Sequence, residues 1–123
     1  MTRHRWLLVL ALAIAMAAPA LAADITGKWT ASFDTQIGVQ NYTYEFTVKD
    51  GTLTGKAKSQ NGETAIAEGK VDGDKVTFVE NLNFQGMELR ITYTGKIVSA
   101  DEIKFTRNVA DFATEELVAK RAK

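Results

Sequence analysis

The chain contains no cysteine, and its single histidine is His4. Without cysteine there are no disulfides, so the fold must be held by packing and hydrogen bonds alone. With the only imidazole at position 4, the body of the chain cannot assemble a Ser-His-Asp or Cys-His nucleophile. It cannot build a Cys/His site for zinc or copper either. Carboxylates, Lys, Arg, Tyr and hydroxyls are what remains for chemistry. An excess of one charge is also missing: 15 basic residues balance 15 acidic ones, with no basic run or stripe. That pattern excludes nucleic acid and anionic membrane surfaces as partners.

Long apolar runs are scarce as well. There is one, Trp6 to Met16, and its eleven residues fall short of a membrane span, which needs about 20. Arg3, His4 and Arg5 precede it and Ala20-Leu21-Ala22 follows it, a basic start and a small-x-small end. This is the layout of a cleaved signal peptide. Residues 1–22 are therefore expected to be removed near Ala22, leaving 23–123 as one exported domain, periplasmic or secreted. No cysteine follows the leader to carry a lipid, and no membrane insertion is expected after cleavage. The remaining chain, roughly 100 residues and slightly acidic, is long enough for one core of modest stability.

What is present is regular punctuation. Asp50-Gly51, Asn61-Gly62 and Asp72-Gly73 recur at eleven-residue spacing, and each suits a tight hairpin because Gly and Asx accept positive φ. Between them the residues alternate with period two. Tyr42, Tyr44, Phe46 and Val48 share one face, and Leu89, Ile91 and Tyr93 another. The spacing predicts strands over 26–34, 40–49, 52–59, 63–71, 75–82, 87–97, 101–109 and 115–121. The third has least to bury, with Gly55, Ala57 and Ser59. The eighth reads as a strand through Leu117, Ala119 and Arg121, although its composition also suits a short helix. Eight strands in a meander close into an all-β, antiparallel up-and-down barrel, which also removes exposed edges. Such a barrel is either filled by side chains or holds one small ligand. Trp29, Phe33, Tyr42, Tyr44, Phe46, Phe78, Tyr93 and Phe105 fall on the inward face, as a core or as a pocket lining.

Gly27-Lys28-Trp29, at the start of the first strand, resembles the Gly-x-Trp signature of lipocalins and other calycins. The strings "KDGTLTGK", "EGKVDGDKVTF" and "EELVAKR" are similar to those of small exported bacterial calycin-like proteins. The resemblance implies a calycin-type barrel that binds small molecules. It also implies that Gly27, Trp29 and a late arginine, Arg121 or Arg107, close one end. The chain departs from typical lipocalins in being shorter and in lacking a disulfide and a long C-terminal helix, which argues against a deep cavity.

Three inward strand ends turn charged. Glu68 follows Ile66, Glu80 follows Val76 and Phe78, and Arg107 follows Ile103 and Phe105. Glu80 and Arg107 are either solvated at a barrel end or paired to orient a polar ligand group among aromatic walls. The candidate ligand-binding residues are Tyr42, Tyr44, Phe78, Glu80, Phe84, Tyr93 and Arg107. Phe84 and Met87 flank Gln85-Gly86 as a lip over a mouth or as outer packing. Glu68 and Glu80 lie on neighbouring predicted strands and offer a carboxylate pair for glycoside hydrolysis, which requires two carboxyls facing a shared sugar, although any acidic barrel offers such pairs. Asp72-Gly73-Asp74 lacks the later ligands of a calcium loop. No catalytic residue, metal or cofactor is expected. The reading is an exported barrel for a small apolar or aromatic-compatible ligand. Its alternatives are an envelope accessory barrel with a filled core and, behind that, a carboxylate-dependent carbohydrate-active enzyme.

Overall fold

The computed structural model describes residues 24–122; the expected signal peptide and its cleavage site lie outside them. Eight strands follow one another: β1 (Gly27–Thr35), β2 (Gly38–Lys49), β3 (Thr52–Ser59), β4 (Gly62–Asp72), β5 (Lys75–Phe84), β6 (Met87–Ser99), β7 (Glu102–Val109) and β8 (Ala113–Arg121). Each pairs antiparallel with its sequence neighbours, and β1 meets β8, so the sheet is a closed up-and-down barrel. The connections 36–37, 60–61, 85–86 and 110–112 lie at one end, here called the mouth. Those at 50–51, 73–74 and 100–101 lie at the other.

The turns follow local chemistry. Asp50 and Gly51 have φ of 52° and 79° between the paired Lys49 and Thr52, the doubly positive turn that matches strand twist. Gln85 and Gly86 repeat it, with φ of 53° and 83° between Phe84 and Met87. The Gly86 amide donates to Asn83 Oδ1 at 3.1 Å in this second turn, and β5 runs to Phe84, two residues further toward it than the alternation predicts.

The terminal segment is a strand and not a helix, because β7 offers it a full ladder from Glu102↔Lys120 to Val109↔Ala113. The weak third strand is held partly by backbone proximity. Gly55 lies so close to the Glu45 carbonyl that no side chain fits between them.

One expectation is overturned in β4. The ladder to β5 shifts between Ala67 and Lys70, and Glu68 takes a φ of 52°. This bulge inserts one residue and exchanges the faces beyond it. Ile66 is buried before the bulge and Val71 packs against the core after it. Glu68 therefore points outward and pairs with Arg90 at 2.8 Å on the surface.

The interior is packed from the closed end upward. Ile25, Trp29, Phe46, Leu53, Val76 and Ile103 are buried there, with Tyr44, Phe78, Tyr93 and Phe105 above them. Phe78 stacks on Tyr93 at 4.2 Å, and Phe105 meets both edge-on at 5.6 Å, geometries that favour the ring quadrupoles. Gly95 lies directly opposite Phe105 across the β6–β7 ladder, and its missing side chain is what lets that ring lie down.

Closure is short. β1 and β8 pair only at Trp29↔Arg121 and Thr30↔Lys120. The Ala122 amide donates to the Lys28 carbonyl at 2.8 Å, so the even-numbered residues of each strand direct their backbone groups across this junction. Above Thr30 a groove lined by Ser32, Asp34, Glu116 and Val118 separates the strands. Amide exchange measured by NMR should therefore be faster at Ser32, Asp34, Glu116 and Val118 than at Ala31 and Phe33, whose ladder runs to β2. Equal protection on both faces of β1 would show that the seam is zipped in solution.

Candidate functional site

Alternation places a charged group from each of three strands inside the barrel. Glu80 extends the inward series of Val76 and Phe78, and Arg107 that of Ile103 and Phe105. Glu115 begins the series that continues through Leu117 and Ala119. Arg107 sits directly between Tyr93 and Glu115 in the ladders. Glu80 is 2% exposed and Arg107 4%, so neither is a solvated barrel end. Burying charges this deeply is costly unless every lone pair and proton finds a partner.

Most do. Glu80 accepts from the Tyr93 hydroxyl on Oε1 at 3.0 Å. Its Oε2 accepts from the Tyr42 hydroxyl at 3.0 Å and the Thr64 hydroxyl at 3.2 Å. Arg107 donates from Nε to the Tyr93 oxygen at 2.9 Å and from Nη2 to the Tyr42 oxygen at 3.0 Å. It also donates from Nη1 to Glu115 Oε1 at 2.6 Å. The two phenols thus bridge carboxylate and guanidinium, whose own closest approach is 3.7 Å. Because the single Tyr93 proton goes to Glu80, the 2.9 Å contact between the Tyr44 and Tyr93 hydroxyls must run from Tyr44 to Tyr93. The guanidinium carbon also lies 5.2 Å from the ring centres of both Phe33 and Tyr42, where the ring faces favour a cation.

Burial, reinforced by Glu80, raises the pKa of Tyr42. Burial likewise pushes Tyr44 and Tyr93 well up. For Arg107 burial works against the cation, but the Tyr93 and Tyr42 oxygens, Glu80 and Glu115 outweigh it, and its pKa is raised. The phenols keep their protons and the guanidinium keeps its charge. The cluster is therefore a fixed set of dipoles, and none of its phenols is poised to take up a proton near neutrality.

Above the cluster lies a cavity of about 220 Å³ that opens at the mouth. Leu82, Phe84, Leu89, Ile91 and Val109 form its walls, and Tyr42, Gln40, Arg107 and Glu115 its polar lining. Ile37, Met87 and Phe112 line it at the loops and are largely exposed, Phe112 at 70%. The mouth is thus rimmed by apolar side chains that water covers. Nearby backbone is held in an unusual conformation, with φ of 48° and 66° at Ala110 and Asp111.

Of the residues singled out from sequence, Tyr42, Tyr44, Glu80, Tyr93 and Arg107 form one hydrogen-bonded cluster. Tyr42 and Arg107 reach the cavity from it; Tyr44, Glu80 and Tyr93 lie beneath. Phe78 is below them, stacked on Tyr93. Phe84 is apart from the cluster, on the cavity wall, with Met87 paired to it across the turn. Glu68 is outside the barrel, paired with Arg90, so it forms no carboxylate pair with Glu80. Sequence reasoning missed Gln40, Thr64 and Glu115. Each has the inward parity of its own strand, and extending that parity past the last apolar residue would have found them.

The opposite end is organised around a second arginine. Arg121, and not Arg107, lies over Trp29, 4.6 Å from the ring centre. Its guanidinium donates to the carbonyls of Asp24, Thr26 and Ala100 at 3.0 Å each. The Trp29 indole donates to the Ile25 carbonyl at 2.9 Å. A side chain at Gly27 would come within 2.9 Å of Arg121 Nη1, which gives the Gly-x-Trp triplet a steric reason. Among the described residues no three His, Cys, Asp or Glu side chains gather as a metal site.

Two outcomes follow from the cluster. Replacing Arg107 by Leu strands Glu80 and Glu115, and urea titration should show a loss of about 3–5 kcal/mol. Tyr93→Phe, which removes one bridging hydroxyl, should cost about 1–3 kcal/mol. The second concerns pH. All three tyrosines of the chain are in this cluster, and their folded pKa values are raised above the unfolded value of about 10. Their contribution to stability is complete below that value and is lost as pH rises above it. Tyrosinate absorbance should therefore appear only together with the loss of the native Trp29 fluorescence. Phenolate formation in the still-folded protein would refute the raised values.

No protein-family model and no curated protein matches this chain. Two solved β-barrels share its fold. One is a redesigned β-barrel, mFAP1, bound to DFHBI, with a TM-score of 0.52 and 11% identity over 80% of this chain and 94% of that one. The other is EF1p2_mFAP2b bound to DFHBI, with a TM-score of 0.54 and 11% identity over 86% of this chain and 97% of that one. At that identity the likeness is one of fold: a closed, eight-stranded antiparallel barrel.

Proposed function

We propose that this chain is an exported small-molecule-binding barrel that takes its ligand through the mouth onto the Arg107 floor. The observation that carries this is the cavity of about 220 Å³, walled by aliphatic and aromatic side chains and floored by nearly buried polar groups. That combination of apolar wall and few fixed polar groups is what small-molecule sites share. The exposed rim of Ile37, Met87 and Phe112 supports it, since a ligand entering there covers apolar surface that is otherwise wet. The volume lies below the roughly 300–1,000 Å³ of drug-sized pockets, which limits the ligand to one or two rings. Both barrels of like fold are held with a small molecule, DFHBI. Export rests on the N-terminal leader. The stacking of Trp29 beneath Arg121, with Gly27 leaving the room for it, supports kinship with the calycins.

A filled accessory barrel has one observation in its favour: Trp29, Phe46, Phe78 and Ile103, below the Tyr42–Glu80–Tyr93 layer, are all buried. Calorimetry on the mature protein against one- and two-ring aromatics separates the two readings. A ligand present at 100 times its Kd should raise stability by about 2.7 kcal/mol. Leu89→Trp, which fills the cavity from its half-buried wall, should abolish that gain while leaving the fold intact. A gain that survives Leu89→Trp would move the site elsewhere, and no gain from any compound would favour the accessory barrel.

A further inference from the structure

The floor of the cavity is unevenly satisfied, and the unevenness selects a ligand. Arg107 has five N–H donors, and three are spent, on Tyr93, Tyr42 and Glu115. The Gln40 side chain is 4% exposed. Its oxygen accepts from Asn61 Nδ2 at 2.9 Å, and its amide nitrogen has no partner among the described residues. Glu115 has its side chain 9% exposed. It uses Oε1 for Arg107, and Oε2 has no partner among the described residues. All three side chains line the same cavity. Buried donors and a buried acceptor left unpaired are costly, and a ligand that satisfies them regains that stability.

We infer that the site recognises a neutral aromatic amide or lactam, with its carbonyl toward Arg107 and Gln40 and its N–H toward Glu115. This rests on the reading of the mouth as a ligand site. The alternatives fail on charge or on count. A carboxylate satisfies the donors, but it meets the Glu115 carboxylate within a cluster where two carboxylates already outnumber one guanidinium. An ammonium satisfies Glu115 but sets a second cation beside Arg107 and leaves the Gln40 N–H groups unpaired. An unsubstituted ring fills the walls and leaves every polar group as it was. Only a ligand offering an acceptor next to a donor completes both halves, and the planar amide edge does so without charge. Recognition of this kind is specific because the mismatched isostere leaves buried groups unpaired.

The test uses 2-naphthamide and 2-naphthoate, which share shape and differ in charge and in the N–H donor. Titration calorimetry on the mature protein should give at least tenfold tighter binding of the amide. Glu115→Gln keeps an acceptor for Arg107 Nη1 and removes the opposing charge, so the preference should fall at least tenfold toward the carboxylate. Gln40→Met lies outside the Glu80–Arg107 network; it should weaken the amide about tenfold and leave thermal unfolding little changed. Equal or tighter binding of naphthoate by the unaltered protein, or a preference that Glu115→Gln does not move, overturns the inference and leaves the mouth as a binding site. Binding of neither compound, nor of any other one- or two-ring aromatic, overturns the ligand-site reading itself.

Discussion

A guanidinium enclosed in an eight-stranded barrel has to be neutralised from every side, and the upper half of this protein is arranged around that requirement. Arg107 is 4% exposed, and Glu80 approaches it no closer than 3.7 Å. The gap is bridged by two phenols, each of which accepts from the cation and donates to the carboxylate. Phenols suit the task because they carry both a lone pair and a proton on a rigid, largely apolar ring. The rings stack down the wall, Phe33 on Tyr42 at 5.5 Å, Tyr42 on Tyr44 at 5.3 Å and Tyr44 on Phe46 at 5.7 Å. The polar cluster and the aromatic core are therefore built from the same side chains.

This arrangement divides the barrel by chemistry. Below the Tyr42–Tyr93 layer the described inward side chains are buried rings and aliphatics, and the Trp29 indole N–H is spent on a backbone carbonyl. Above it, three side chains approach the cavity with valences still open. The division follows from geometry: strand tilt and taper let rings fill the closed end, whereas at the mouth the loops stop short of covering the walls. A site placed there has a rigid floor and an apolar entrance, which is the arrangement that preorganised binding requires.

The two arginines illustrate how one residue type serves opposite ends. Arg121 is partly exposed, spreads over an indole and stitches the entering chain, Asp24 to Thr26, onto the barrel. Its hydrogen bonds go to three carbonyls, and its one carboxylate neighbour, Asp101 at 3.4 Å, is on the surface, so no charge is drawn inside. Arg107 is buried, contacts phenols and a carboxylate, and draws two acidic residues inside with it. Both uses depend on the planar fork of donors that lysine lacks. The closure between β1 and β8, by contrast, rests on few backbone pairs, and the Arg121 contacts are concentrated where those pairs are.

Period-two alternation and evenly spaced turn residues determined the strand count, the antiparallel meander and the identity of nearly every inward aromatic. They did so because a pleated strand offers only two faces and a tight turn admits few residue types. The same rule, carried one residue past the apolar run, also marked Glu80 and Arg107. It failed at Glu68, because a bulge exchanges the faces without leaving an apolar signature in the chain. Gln40, Thr64 and Glu115 carried the correct parity but no hydrophobicity to reveal it. Tertiary structure alone decided which arginine covers Trp29 and that Tyr42 and Tyr93 bridge Glu80 to Arg107. It alone decided that a cavity remains at one end, since these facts depend on distances between strands that are far apart in sequence and meet only when the barrel closes.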